Sequence, residues 1–240
     1  MSVHQVQLLR HEAVAEGTMS FHFSKPGGFM HRAGQALTMT LSDPPETDSE
    51  GDSRTFTIAS APHEPELMIA TRTRDTAFKR VLKSLAAGAT VTIDGPDGDM
   101  VLHDDAARPA VFLAGGIGIT PFLSMARDAA HRRLPHRLFL FYSNRRPEDA
   151  PFLDELRHLE TANPNYRLVA TMSEPSKSSQ SWSGETGFIS AAMLKRHLAE
   201  VTAPIYYMAG PPPMVNAMHD MLEDTGVPES DVRYEEFFGY

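Results

Sequence analysis

Three short stretches of this chain carry residue types that suit a bound dinucleotide. The first is AGGIGITP, residues 114–121, where Gly115, Gly116 and Gly118 lie between an apolar run and a helical pattern. Glycines there let the backbone approach a ligand, and the free N–H groups of the turn and helix start suit a pyrophosphate. The stretch nearly spells the fingerprint G-x-G-x-x-G, but Pro121 stands where the third glycine is expected. Thr120 reads as the helix N-cap and Pro121 as the first helical residue, where an N–H would have had no partner. A tight strand-to-helix turn without a ligand would use the same residues, and this stretch alone leaves both readings open.

The second stretch, RTFTIAS (54–60), sets an arginine two residues before an aromatic. In a strand, Arg54 and Phe56 then share one face while Thr55 and Thr57 point to the other. An ordinary barrel strand would alternate in the same way. The third, YMAGPPPM (207–214), ends a buried strand at Ala209 and Gly210, and Pro211, Pro212 and Pro213 stiffen the turn before Met214. Such a turn falls at the carboxyl edge of a sheet, where open α/β folds bind ligands.

Composition narrows the chemistry. Among 240 residues there is no cysteine, which removes disulfides, thiol catalysis, iron–sulfur ligation and thiolate zinc sites. Redox work by this chain therefore needs a bound cofactor. The eleven histidines form no H-x-x-x-H or H-E-x-x-H pair, so no metal site is expected. A formal charge of −9, shared between both halves, would repel phosphate backbones and argues against nucleic acid as a partner. No run approaches the roughly 18 apolar residues that span a bilayer. The opening MSVHQVQLLRHEA lacks the apolar segment of a signal peptide, and a cytoplasmic location is expected.

Two architectures must position these stretches. Up to about residue 105, VHQVQLLRHE, TMSFHFS, QALTMTLS, RTFTIAS, ELMIATR and ATVTIDG alternate and are separated by turn residues. They predict a small antiparallel β-barrel or sandwich. One helix interrupts them: Thr76 caps it, Phe78, Val81, Leu82 and Leu85 form its apolar face, and Gly88 stops it. The acidic SDPPETDSEGDS (42–53) has nothing to bury and reads as an exposed loop.

Beyond residue 107 the nearly continuous apolar runs AVFLA, RLFLFYS, YRLVATM and IYYMA predict strands covered on both faces. Helical patterns lie between them, and the chain closes with DVRYEEFFGY. The expectation is a five-stranded, mainly parallel, Rossmann-like α/β sheet. A boundary at DDAARP divides the chain into domains 1–105 and 106–240.

In this order and spacing, the Arg-x-aromatic-hydroxyl strand, the G-G-x-G-x-T-P turn, the G-P-P-x-M turn and the acidic-aromatic end resemble the ferredoxin-NADP reductase superfamily. The resemblance covers essentially the whole chain. It implies a flavin-binding barrel, a pyridine-nucleotide domain, and hydride transfer from nicotinamide to FAD at their interface. Arg54 would pair with the flavin pyrophosphate, Thr55 would lie beside it, Phe56 would stack in place of the family's usual tyrosine, and Thr57 would take the place of the serine near flavin N5. Thr76 would add a second contact to the same pyrophosphate, which favours FAD over FMN.

Gly115, Gly116, Gly118, Thr120 and Pro121 would receive the pyridine nucleotide, with Gly210, Pro211, Pro212 and Met214 on the nicotinamide side. Ala209 stands where the family usually has cysteine, which implies an altered hydride-transfer rate or nicotinamide affinity. Glu174 follows Ser173 where NADPH-specific relatives often carry Ser-Arg, and a carboxylate there favours NADH over NADPH. Phe238 or Tyr240 would lie beside the flavin. The cations Arg72, Arg74, Lys79, Arg80 and Lys83 read either as a docking patch for an acidic acceptor or as a solvated face. The implied acceptor is a separate protein such as a ferredoxin, an oxygenase component or a haem protein. A non-catalytic flavin sensor and a reductase of free flavin or ferric chelates stand as alternatives.

Overall fold

A computed structural model describes residues 2–238. The first half forms β1 (Ser2–Ala15), β2 (Thr18–Ser24), β3 (Ala36–Leu41), β4 (Ser53–Thr57), β5 (Glu66–Arg72) and β6 (Thr90–Asp97). They pair antiparallel in the order β4-β3-β6-β1-β2-β5. Past the end of β4, the Ala59 N–H bonds the Met68 carbonyl of β5 at 2.7 Å, so the two edges of that order meet and the sheet closes. Closure removes free edges that would otherwise invite pairing with other chains.

Inward-facing Phe21, Phe23, Leu37, Met39, Ile69 and Val91 fill the barrel. Helix α1 (Ala77–Ser84) adds Phe78, Val81 and Leu82 to that core. The Thr76 hydroxyl caps it by accepting from the Lys79 N–H at 3.4 Å. The helix stops at Ser84, and Gly88 then turns the chain at φ +89°.

The second half alternates strand and helix: β7 (Ala110–Gly115), α2 (Thr120–Arg132), β8 (Leu138–Asn144), α3 (Leu153–Ala162), β9 (Tyr166–Met172), β10 (Glu185–Thr186), α4 (Ala191–His197), β11 (Ile205–Gly210), α5 (Pro212–Asp224) and β12 (Val232–Glu236). All pairs are parallel, in the order β10-β9-β8-β7-β11-β12. The sheet has six strands where the sequence predicts five. The extra strand is the two-residue β10, too short to leave an alternating pattern.

Successive residues of the central strands serve opposite layers. Phe112, Ala114, Leu140 and Tyr207 pack with Phe122, Met125 and Leu156 of α2 and α3. Val111, Leu113, Phe141 and Tyr206 pack with Met193 and Leu194 of α4 and Val215 and Leu222 of α5. The first of these layers also contains Ala33, Ala59, Met68 and Met100 from outside the parallel sheet, so both halves share one apolar core. Polar contacts reinforce the seam: Ser124 Oγ donates to the Ser60 carbonyl at 2.8 Å, and His63 stacks on His131 with ring centroids 3.7 Å apart. Gly34 is required there, because a Cβ on it would lie 2.0 Å from the Met100 carbonyl oxygen.

Candidate active site at the junction of barrel and sheet

Strand β7 runs straight into a 3-10 turn, Gly116–Ile119, and α2 follows without a break. Thr120 is therefore not the N-cap expected from the sequence. It has helical φ and ψ, is 2% exposed, and donates its hydroxyl to the Ile117 carbonyl at 3.1 Å. Pro121 remains in the first turn, where a missing N–H is harmless, but it is buried with Thr120 in the packing of α2.

Two of the three glycines serve the protein rather than an approaching ligand. A Cβ on Gly115 would lie 2.2 Å from Met214 Sδ, and one on Gly118 would lie 2.1 Å from the Ala209 carbonyl oxygen. Gly116 alone of the three sits at positive φ, +55°, and a Cβ there would meet only Arg72 Nη1, at 3.9 Å.

That turn opens on a cleft of about 820 Å³ at the carboxyl edge of the sheet. Gly115, Gly116, Ser173, Pro211 and Met214 line it. Gly118, Thr120, Pro121, Ala209, Gly210 and Pro212 do not; they lie behind it, holding β7, β11 and the two helix starts together. Sequence reasoning gave Arg72 and Arg74 a different role and missed Asn144 and Phe188: the two arginines reach in from the end of β5, and Asn144, Arg145 and Phe188 come from the α/β side.

Arg72, Arg74 and Arg145 form no ion pair among the described residues, whereas Arg146 is held by Asp149 at 2.7 Å and by Glu16. Asn144 is 7% exposed, and its Nδ2 has no hydrogen-bond partner. An unpaired buried amide is costly, and its place in the wall of a cleft makes it a candidate ligand contact. Glu174 is bound by Lys177 at 3.0 Å beside Ser173.

On the barrel, Arg54 and Phe56 both face α1. The guanidinium lies 5.1 Å from the Phe78 ring centroid, and Phe56 packs against the same ring at 5.8 Å. Thr55 points the other way, is exposed, and shares a hydrogen bond with the Thr38 hydroxyl at 3.1 Å, so it does not join Arg54. Thr57 is 7% exposed at the end of β4. The Thr76 hydroxyl accepts the Lys79 N–H at the helix cap.

Arg54 Nη2 bonds Asp48 Oδ1 at 2.9 Å, and the other oxygen of that carboxylate accepts the Ala77 N–H at 3.2 Å. Burial opposes ionisation of Asp48, but the Glu50 N–H, Arg54 and the Ala77 N–H together hold its pKa below the usual value. The 42–53 loop, legible only as exposed and acidic, thus supplies the nearest partner of Arg54.

Of the remaining expected residues, Ala209 is fully buried in the shared core and bears no group that could react. Phe238 is 77% exposed and does not pack over the site. Its neighbour Phe237 donates its N–H to the Gly210 carbonyl at 2.9 Å and packs its ring against the shared core. Tyr240 lies outside the described residues. Glu235, in register with Ala209, has its pKa raised by burial and by Asp99. The five-cation cluster divides: Arg72 and Arg74 line the cleft, Lys79 is half-buried, Lys83 is exposed, and Arg80 pairs with Glu46 and Asp75, both at 2.5 Å. Among the described residues no group of three or more His, Asp or Glu is placed to hold a metal, and no helix is long and apolar enough to cross a membrane.

A barrel joined through a shared core to a parallel sheet, with a cleft at its carboxyl edge, defines a two-part fold. Residues 112–220 match the family model described as the oxidoreductase NAD-binding domain. That match covers the α/β half of the chain.

The chain is similar to the glycine betaine monooxygenase reductase subunit of Chromohalobacter salexigens, with 30% identity over 92% of this chain and 60% of that protein. It is also similar to NADH-cytochrome b5 reductase 1 of Neosartorya fischeri, with 30% identity over 62% of this chain and 50% of the relative. The chain thus spans less than two thirds of the length of either. A ferredoxin NADP+ reductase structure from Neisseria gonorrhoeae, with FAD and NADP bound, superposes with a TM-score of 0.82 at 20% identity over 98% of this chain and 99% of that one.

Proposed function

We propose that this chain is a flavin-dependent reductase that carries FAD on its barrel, takes a hydride from NADH, and passes electrons singly to a separate protein. The observation that carries the reading is the cleft itself. Arg72 and Arg74 face Gly116, Asn144 and Ser173 across one cavity, so a nucleotide held by the sheet meets the barrel. When bound, FAD supplies the exchange between two-electron and one-electron chemistry.

The barrel's residues fit its diphosphate: Arg54 and the Ala77 N–H already converge on one anionic group, the Asp48 carboxylate. Thr57, at the end of β4, would offer its hydroxyl to the flavin when it is bound. On the nucleotide side, the N–H groups of the Gly116 turn and the cations Arg72, Arg74 and Arg145 suit a diphosphate. The Asn144 amide donates to the nucleotide. Glu174 favours NADH, since it would repel a 2′-phosphate and already engages Lys177.

The acceptor class best supported is an oxygenase component, because the relative from Chromohalobacter salexigens is the reductase subunit of a monooxygenase. The test is the visible spectrum of the purified protein, followed by anaerobic addition of NADH or NADPH. Flavin bands that bleach rapidly with NADH and slowly with NADPH are expected. A protein that takes up no flavin would refute the reading, and bound flavin that stays oxidised would indicate a sensor.

A further inference from the structure

Both terminal nitrogens of the Arg54 guanidinium are engaged by the loop that leads into its own strand. Nη1 donates to the carbonyls of Glu50, Gly51 and Ser53 at 2.9, 3.1 and 2.8 Å. Nη2 bonds Asp48 Oδ1 at 2.9 Å and reaches Glu50 Oε2 at 3.0 Å. Asp48 Oδ2 accepts the N–H of Ala77, the first residue of α1, at 3.2 Å. One carboxylate therefore bridges an arginine and a helix N-terminus, the donor pair that a phosphate group uses. We propose that residues 46–52 are a built-in competitor for the cofactor's diphosphate, with the Asp48 carboxylate holding the position a phosphate takes between Arg54 and α1. The proposal rests on the reading of Arg54 as a cofactor contact.

Two features make the loop displaceable rather than structural. No residue from 42 to 52 is buried, so charge and hydrogen bonds hold it: Asp48 and Glu50 on Arg54, and Glu46 on Arg80 of α1 through bonds of 2.9 and 2.5 Å. Partly exposed ion pairs of this kind are weak and sensitive to salt. In addition, the positive charge around the site exceeds what the loop neutralises. Lys79 has its pKa lowered by burial and then by Arg74, Arg54 and Arg72 nearby, with only Glu50 opposing. Lys79, Arg72 and Arg74 have no ion-pair partner among the described residues. A diphosphate brings more negative charge than one carboxylate, satisfies the same two donors, and wins the exchange. The loop then sets the affinity and the rate of cofactor entry and protects Arg54 in its absence.

The test uses flavin-free full-length protein and follows the quenching of FAD fluorescence on binding. Asp48→Asn keeps the shape but removes the charge, and should bind FAD about fivefold more tightly and faster, a change in the range of a partly exposed ion pair. Asp104→Asn makes the same charge change at an exposed position outside the loop and should bind as the unaltered chain does. In the unaltered chain, FAD should speed cleavage after Glu46 and Glu50 by a glutamate-specific protease, a readout that requires no variant to fold. Equal or weaker FAD binding by Asp48→Asn, or cleavage slowed by FAD, would overturn the competitor and leave the flavin reading intact. Inorganic pyrophosphate, titrated by calorimetry, separates the other failure. If it binds Asp48→Asn more tightly while FAD binds neither protein, the competitor stands and the flavin reading falls.

Discussion

Asn144 shows how one side chain can be expensive without a ligand and useful with one. Its amide is buried at the rim of the cleft with no protein partner for Nδ2. If it donates to the nucleotide, Asn144→Ala should weaken ADP-ribose binding about fivefold, the worth of one ordinary hydrogen bond. Asn144→Asp should weaken it further, because a carboxylate would face a diphosphate. Calorimetry with ADP-ribose measures both without any redox step, and unchanged affinity in both variants would remove Asn144 from the site. This residue is invisible in the sequence: an asparagine at a strand end is ordinary until burial and the missing partner are known. Arg54 is legible through its spacing to Phe56, but its present partner is not, since nothing in a run of acids says which one folds back.

At the scale of elements, the strands and helices of the sheet are readable because buried parallel strands require long apolar runs, and these stand out against polar loops. The onset of coiling ahead of α2 is not readable, because a 3-10 turn has no separate sequence mark: Gly116–Ile119 already coils before Thr120. The same turn explains glycines that the sequence motif alone would give to the ligand. Gly118→Ala would drive a methyl into the Ala209 carbonyl, with backbone on both sides and no flexible side chain to yield. It should lower stability by about 1–3 kcal/mol, the usual cost of overpacking. Gly116→Ala meets only the end of the Arg72 side chain, at 3.9 Å, and should cost only about 1 kcal/mol for its positive φ. Chemical denaturation of the two variants checks the order, and a larger loss at Gly116 would contradict this account of the turn.

Across the whole molecule, histidines at the seam tie stability to pH. Burial lowers the pKa of His31, whose Nε2 lies 3.2 Å from the Ser60 carbonyl oxygen. Burial and then the stacked His131 lower that of His63, with Lys25 adding to the shift and Glu64 and Asp128 opposing it. His103, bonded to the Tyr207 hydroxyl at 2.9 Å, is also lowered, first by burial. A histidine with a depressed folded-state pKa binds fewer protons folded than unfolded. Its contribution is fully present above the unfolded value near 6.5 and is lost as pH falls through the folded pKa. The melting temperature should therefore hold from pH 8 to 7 and decline below about pH 6.5. Replacing His63 with glutamine should flatten part of that decline, and an unchanged profile would show that the stack carries no linkage.

The shared core fixes which pieces of this chain can be exchanged. Ala59 and Met68 belong to the same packed layer as Phe122 and Met125, so cutting the chain between its two sheets would strip apolar surface from both pieces. Either half expressed alone should aggregate or melt well below the intact chain, and light scattering would report it. For anyone building chimaeras, the portable module is the barrel and sheet together, and new acceptors are better recruited by redesigning the outer surface than by grafting one half onto a foreign partner.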